Sequence, residues 1–88
     1  MPRITLYVTS VCPYCHSALQ LLASKHVPID TIDKIVLDDQ PEARAALATR
    51  TRRRTVPQIF IGDYHVGGFD DLAALNRSGE LDRLLATP

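Results

Sequence analysis

The period of the apolar residues changes at Pro13. Before it, Ile4-Thr5-Leu6-Tyr7-Val8 alternates and is β-branched or aromatic, the pattern of a strand. Beyond it, Cys15, Ala18, Leu19 and Leu22 recur at helical spacing, which predicts a helix to about Lys25. Proline suits that start, because an N–H in the first turn would have no partner inside the helix. After Pro28 the stretch IDTIDKIVL, residues 29–37, resumes strand character. DDQPEARAALATR, residues 38–50, reads as a second helix, with acids and Pro41 at its start and arginines at its end, as the helix dipole favours. PQIFI and YHV flank a Gly-Asp turn and predict a hairpin. Asp70 is placed to cap a short helix through Asn76, and Leu81, Leu84 and Leu85 mark a last one. The order β-α-β-α-β-β-α-α has no linker, repeat or low-complexity stretch. It predicts a single α/β domain over residues 1–88, with a small mixed sheet.

Composition narrows the function. The chain of 88 residues is 45% hydrophobic, enough for a packed core and too apolar for a disordered chain. Ten basic and ten acidic side chains cancel, so the basic excess of a general nucleic-acid or membrane binder is missing. No apolar run approaches the about 20 residues of a membrane span. MPRITLYVTS carries no signal-peptide core and reads directly as a first strand, which predicts a cytoplasmic protein. In that compartment paired cysteines are more often catalytic or metal-binding than structural.

The two cysteines, Cys12 and Cys15, lie in SVCPYCHSA at the junction of the first strand and first helix. A structural zinc site needs about four ligands; there is one pair here, and His16, His26 and His65 lack paired spacing. CPYCH also matches a haem-attachment pattern, but the only methionine is the first residue and no export signal is visible. Two inert buried thiols would leave Cys12, ahead of Pro13, a poor choice for packing. Redox chemistry accounts for the asymmetry. A helix N-terminus stabilises a thiolate and lowers its pKa, so Cys12 would attack a disulfide. Cys15, one turn in and on the apolar face, would resolve the mixed disulfide. His16 is then a residue of the first turn, and His26 and His65 read as surface residues.

Three motifs occur in order: CPYC at 12–15, TVPQIFI at 55–61 and GGFDD at 67–71. Together they make the chain resemble a glutaredoxin over essentially its whole length. The resemblance implies the thioredoxin fold, a four-stranded mixed sheet flanked by helices. It implies glutathione as reductant, no tightly bound cofactor or metal, and a monomer acting on protein disulfides and on glutathionylated proteins. It also implies that Pro57 is cis and that Val56 pairs its N–H and C=O with the cysteinyl part of glutathione, as an added strand does, with Thr55 alongside. Backbone groups near Phe69 and Asp70 would receive the γ-glutamyl carboxylate and Asp71 its ammonium, with Gly68 letting the backbone approach closely. Tyr14 would line the groove. Two rivals remain: within the fold, a redoxin served by thioredoxin reductase, and from a different class, a binding protein in which two chains hold an iron–sulfur cluster with Cys12 and two glutathiones.

The chain departs from the family in two places. Thr9 stands where glutaredoxins commonly carry a lysine, three residues before the first cysteine. Positive charge would then come from the helix terminus and from RTRRRT, residues 50–55, where Arg53 is the expected partner of glutathione's glycyl carboxylate. The stretch 28–41 is also a little longer than its counterpart in the family.

Overall fold

A computed structural model describes residues 2–87. Its elements follow the predicted order: β1 (Ile4–Val8), α1 (Pro13–Ser24), β2 (Ile32–Val36), α2 (Pro41–Thr51), β3 (Gln58–Ile61), β4 (Tyr64–Gly67), α3 (Phe69–Ser78) and α4 (Glu80–Ala86). The strands form one sheet in the order β2-β1-β3-β4. β1 pairs parallel with β2, while β1–β3 and β3–β4 are antiparallel. Among the described residues no helix is long and apolar enough to cross a membrane.

Strand alternation divides the sheet between two cores. Ile4, Leu6 and Val8 of β1, with Ile59 and Ile61 of β3, pack on one face against Cys15, Ala18 and Leu22 of α1, Leu72 of α3 and Leu81 and Leu85 of α4. Phe60 points to the other face, where it joins Leu37, Leu47 of α2 and half-buried Tyr7 in a smaller cluster. The result is a three-layer sandwich in which α2 alone covers one face. Val56, just ahead of β3, packs against both clusters and so ties the loop before the hairpin to each layer.

Several boundaries differ from the sequence reading: the second helix begins at Pro41 rather than Asp38, the third runs to Ser78 rather than Asn76, and two others have a clear physical cause. Residues Ile29–Thr31 form a 3₁₀ turn and the strand begins only at Ile32. The Thr31 N–H and hydroxyl both donate to the Pro28 carbonyl, closing a turn that a strand would have to open. The third helix is capped not by Asp70 but by Gly68, and it starts at Phe69. Asp71 rather than Asp70 makes the capping bond, its carboxylate reaching back to accept the Gly68 N–H at 2.9 Å. A carboxylate at the third helical position has the reach for this, and one in the first turn also faces the positive end of the helix dipole.

Candidate functional site

The cysteine pair sits where β1 gives way to α1. Ser10 in the connecting loop is tied down across the sheet, its N–H donating to the Asp38 carboxylate at 3.0 Å. The Ser10 side chain and N–H hold the Asp38 carboxyl below the usual range. Cys12 is the helix N-cap in extended conformation, with Pro13 following at the first helical position. Its Sγ accepts the Cys15 N–H at 3.1 Å, the contact that would stabilise a Cys12 thiolate in the reduced protein. The two cysteines are joined as a disulfide with Cα atoms 5.2 Å apart. Cys15 is buried in the α1 core while Cys12 is half-buried beside Val11, which is 90% exposed. Reagents therefore approach the pair from the Cys12 side.

All nine residues expected at a glutathione site line a single groove of about 270 Å³. Tyr14 and Phe69 stack across its cysteine end, with ring centroids 6.3 Å apart. Thr55, Val56 and Pro57 form one wall, and the Val56–Pro57 peptide bond is cis. Among the described residues neither the N–H nor the C=O of Val56 has a hydrogen-bond partner, so both are available to an extended ligand. Gly68, Asp70 and Asp71 at the start of α3 form the opposite wall.

Arg53 and Asp71, assigned by sequence to opposite ends of glutathione, meet across this groove. The Arg53 guanidinium donates to Asp71 at 2.6 Å. That bond, then the Gly68 N–H, holds the Asp71 carboxyl below its ordinary value. The pair lies over Gly67, whose φ of +114° and lack of a side chain are both required: a Cβ there would collide with the Asp71 carboxylate and come within 2.8 Å of the Arg53 guanidinium.

The other arginines of RTRRRT do not enter the groove. Arg50 lies over the Phe60 ring, 4.3 Å from its centroid, on the α2 face. Arg52 takes a left-handed conformation (φ 60°) to end α2. Arg54 lines cavities on the α2 side.

Three features escaped the sequence reading. Lys34 of β2 shares a cavity of about 350 Å³ with Thr9, Cys12, Cys15 and His16, so a lysine does stand near the thiols despite Thr9. Only the parallel register, which sets Lys34 beside Leu6, reveals it. Gln58 is fully buried behind the groove wall. Its amide nitrogen donates to the Thr55 carbonyl at 3.0 Å, and its oxygen meets His65 Nε2 at 2.7 Å. His65 is consequently not the surface residue expected: it is half-buried and tilted against Phe60, with centroids 4.8 Å apart. Burial first, then the neighbouring Arg53, pushes its imidazole below the ordinary value. A polar residue directly after Pro57 in an otherwise apolar strand was the available signal for Gln58.

Among the described residues no group of three or more His, Cys, Asp or Glu side chains converges to hold a metal ion.

Residues 4–66 match the family model described as glutaredoxin. The chain is 51% identical to a glutaredoxin of Pseudomonas aeruginosa over 86 residues, covering 98% of this chain and 99% of that one. It is 44% identical to glutaredoxin 3 of Escherichia coli over 85 residues, covering 97% and 99%. Among solved structures, a buckwheat glutaredoxin–glutathione complex superposes with a TM-score of 0.86 at 30% identity, covering 96% of this chain and 76% of that one. The chain belongs to the glutaredoxin family, with that family's thioredoxin fold and a redox-active cysteine pair.

Proposed function

We propose that this thiol–disulfide oxidoreductase of the glutaredoxin family is glutathione-dependent, reducing protein disulfides and protein–glutathione mixed disulfides as a single-domain cytoplasmic monomer. The observation that carries this reading is the groove lined by Tyr14, which lies between Cys12 and Cys15 in the chain, together with the Thr55–Pro57 and Gly68–Asp71 runs. Its wall presents the unpaired Val56 backbone, and a cation and a carboxylate, Arg53 and Asp71, lie at its rim. Glutathione brings two carboxylates, one ammonium and a central peptide, which match those groups in kind.

In the reduced protein the Cys12 thiolate attacks a substrate disulfide sulfur. A Cys12–substrate disulfide forms, the original S–S bond breaks, and the leaving thiolate takes up a proton. For a protein disulfide, Cys15 then loses its proton and attacks Cys12 Sγ, freeing the second substrate thiol and leaving the intramolecular disulfide seen here. Two glutathione molecules return the pair to dithiols, the first forming a Cys12–glutathione mixed disulfide and the second leaving with it as oxidised glutathione. For a glutathionylated protein, attack on the glutathione sulfur releases the protein thiol directly, and Cys15 is dispensable.

Turnover with glutathione, glutathione reductase and NADPH tests the assignment. Cys12→Ser abolishes reduction of both substrate types. Cys15→Ser keeps the removal of glutathione from a glutathionylated peptide but loses dithiol reduction of a protein disulfide. Activity retained in Cys12→Ser and lost in Cys15→Ser would reverse the roles. Reduction supported by thioredoxin reductase and not by glutathione would refute the reading.

A further inference from the structure

The groove does not end at Arg53. It continues around Thr55 and Val56 into a second cavity of about 260 Å³, on the side of the sheet covered by α2. The two cavities share Arg53, Thr55 and Val56. The second has an apolar floor of Leu37, Ala45, Leu47 and Ala48 and carries Arg44 and Arg54. Neither arginine makes an ion pair among the described residues. Arg54 also belongs to an adjoining hollow that adds Arg52. Five of the chain's ten Lys and Arg residues (Arg44, Arg50, Arg52, Arg53 and Arg54) fall within eleven consecutive positions, although the formal net charge is zero. Positive charge is thus concentrated along α2 and the loop that follows it, from Arg44 to Arg54.

We propose that this cavity is a docking subsite for the segment of a protein substrate that follows its reactive cysteine, and that it selects a segment with an apolar residue followed by acidic ones. The proposal rests on the glutathione reading in one respect, the direction of the ligand. Glutathione with its γ-glutamyl end at Asp70 and Asp71 and its cysteinyl group on Val56 points its glycyl end along the Thr55–Val56 wall that the two cavities share. A polypeptide laid on Val56 in the same direction continues past Thr55 into the second cavity, where its next residues meet first the Leu37–Leu47 floor and then the unpaired guanidiniums of Arg44 and Arg54. Exposed guanidiniums at the edge of an apolar hollow recognise carboxylates by complementary charge and by paired hydrogen bonds. The free tripeptide is too short to fill this space, so the subsite discriminates among protein substrates without being needed for glutathione itself.

The test uses the full chain, reduced with dithiothreitol and freed of it, so that the protein dithiol supplies the two electrons and glutathione is absent. The substrates are peptides whose single cysteine is capped as a mixed disulfide with nitrothiobenzoate. Attack by the Cys12 thiolate forms the Cys12–peptide disulfide and expels coloured nitrothiobenzoate, and Cys15 then releases the peptide thiol. One peptide carries Leu-Glu-Glu after the cysteine, a second Leu-Lys-Lys, and a third has the two Glu before the cysteine instead. At low ionic strength the first is expected to react about ten-fold faster than the second and several-fold faster than the third, with the advantage fading near 1 M salt, where screening acts over about 3 Å. The double variant Arg44→Glu/Arg54→Glu should reverse the order, favouring Leu-Lys-Lys. Its retained reaction with that peptide shows that it is folded. Equal rates for the first two peptides, or an advantage for acid placed before the cysteine, would overturn the subsite. Because no step uses glutathione, a failure of the glutathione reading shows in the coupled assay and leaves this comparison intact.

Discussion

Removing Arg53 and Asp71, singly and together, tests the proposal that the groove exchanges its own ion pair for glutathione. In the free protein the two side chains are bonded to each other, with side-chain exposures of 44% and 40%. At that exposure solvent screens the pair, and it is worth about 0.5 kcal/mol. Each hydrogen-bonded charged contact to glutathione is worth about 1.5 kcal/mol at the low end of its range. Arg53→Ala loses one such contact but removes the need to break the internal pair, so it costs the difference, about 1 kcal/mol or five-fold. Asp71→Ala costs the same by the same reasoning, once its smaller effect on helix capping is matched with Asp71→Asn. The double variant loses both contacts yet gains the pair's release only once, which comes to about 2.5 kcal/mol, or about seventy-fold. The double loss should therefore exceed the product of the single losses by about two-fold, an excess equal to the strength of the internal pair. The assay is kcat/KM for a small mixed disulfide of glutathione, at low salt and near pH 7, where Asp71 is fully ionised because its carboxyl is held low. Single losses that multiply to the double loss, or fall above it, would show that glutathione does not displace the Arg53–Asp71 pair.

Replacing Lys34 with Ala should raise the pH midpoint of Cys12 alkylation by up to about one unit, as loss of a nearby cation does, and Thr9→Lys should lower it; an unmoved midpoint in Lys34→Ala ends the assignment of that lysine. Gln58→Leu leaves the Thr55 carbonyl and His65 without their buried partner at a cost of about 1–2 kcal/mol, and for a domain of this size each kcal/mol lowers Tm by about 4–8 °C. The same variant should lose kcat/KM for glutathione mixed disulfides as the Thr55–Val56 wall loosens, and a wild-type Tm would show that the bonds contribute nothing net. His65 titrates lower in the folded chain than its ordinary value of about 6.5, so the unfolded chain binds the proton first. Its contribution to stability is complete above about pH 6.5 and is lost as pH falls through the folded value. Urea midpoints taken between about pH 7.5 and 5 should decline less steeply in His65→Gln than in the parent, and identical slopes would exclude His65 as the source.

Periodicity is a local property, and what depends on it was legible. Ile4–Val8, the helix after Pro13 and the hairpin at Gly62-Asp63 all form as their residue patterns dictate. The errors fall where a bond between neighbours outweighs the pattern. Ile29 to Thr31 look extended by composition, yet Thr31 closes back on Pro28 with two hydrogen bonds. Asp70 and Asp71 are equivalent as sequence signals for a cap. The choice falls on Asp71 because the extended backbone at Gly68 presents its N–H to the third helical position.

The groove was legible because its residues come in three short runs, each carrying its own backbone instruction, and the fold needs only to bring the runs together. Charge is different. A cation acts through space, so its effect depends on strand register and helix rotation, which a linear reading lacks. Thr9 suggested a thiol pair short of a lysine, and the arginines of residues 50–54 looked like the substitute. The parallel register of β1 and β2 instead sets Lys34 beside Leu6, in a cavity shared with the disulfide, while helix rotation sends Arg50 to Phe60 and the loop after α2 carries Arg54 to the α2 cavity. One run of arginines is thus divided among three tasks: Arg53 faces Asp71 in the groove, Arg50 packs on an aromatic ring, and Arg54 stays unpaired at the docking subsite. This division separates two functions physically. On the proposed reading, tuning of the Cys12 thiolate belongs to the helix terminus and the β2 edge, whereas selection of what binds belongs to the α2 side. Substitutions at Lys34 should therefore move the pH dependence of attack without changing which flanking charge is preferred, and substitutions at Arg54 should do the reverse. A Lys34→Ala variant that altered the ranking of the Glu- and Lys-flanked peptides would mean that one electrostatic field governs both, and the separation would fall.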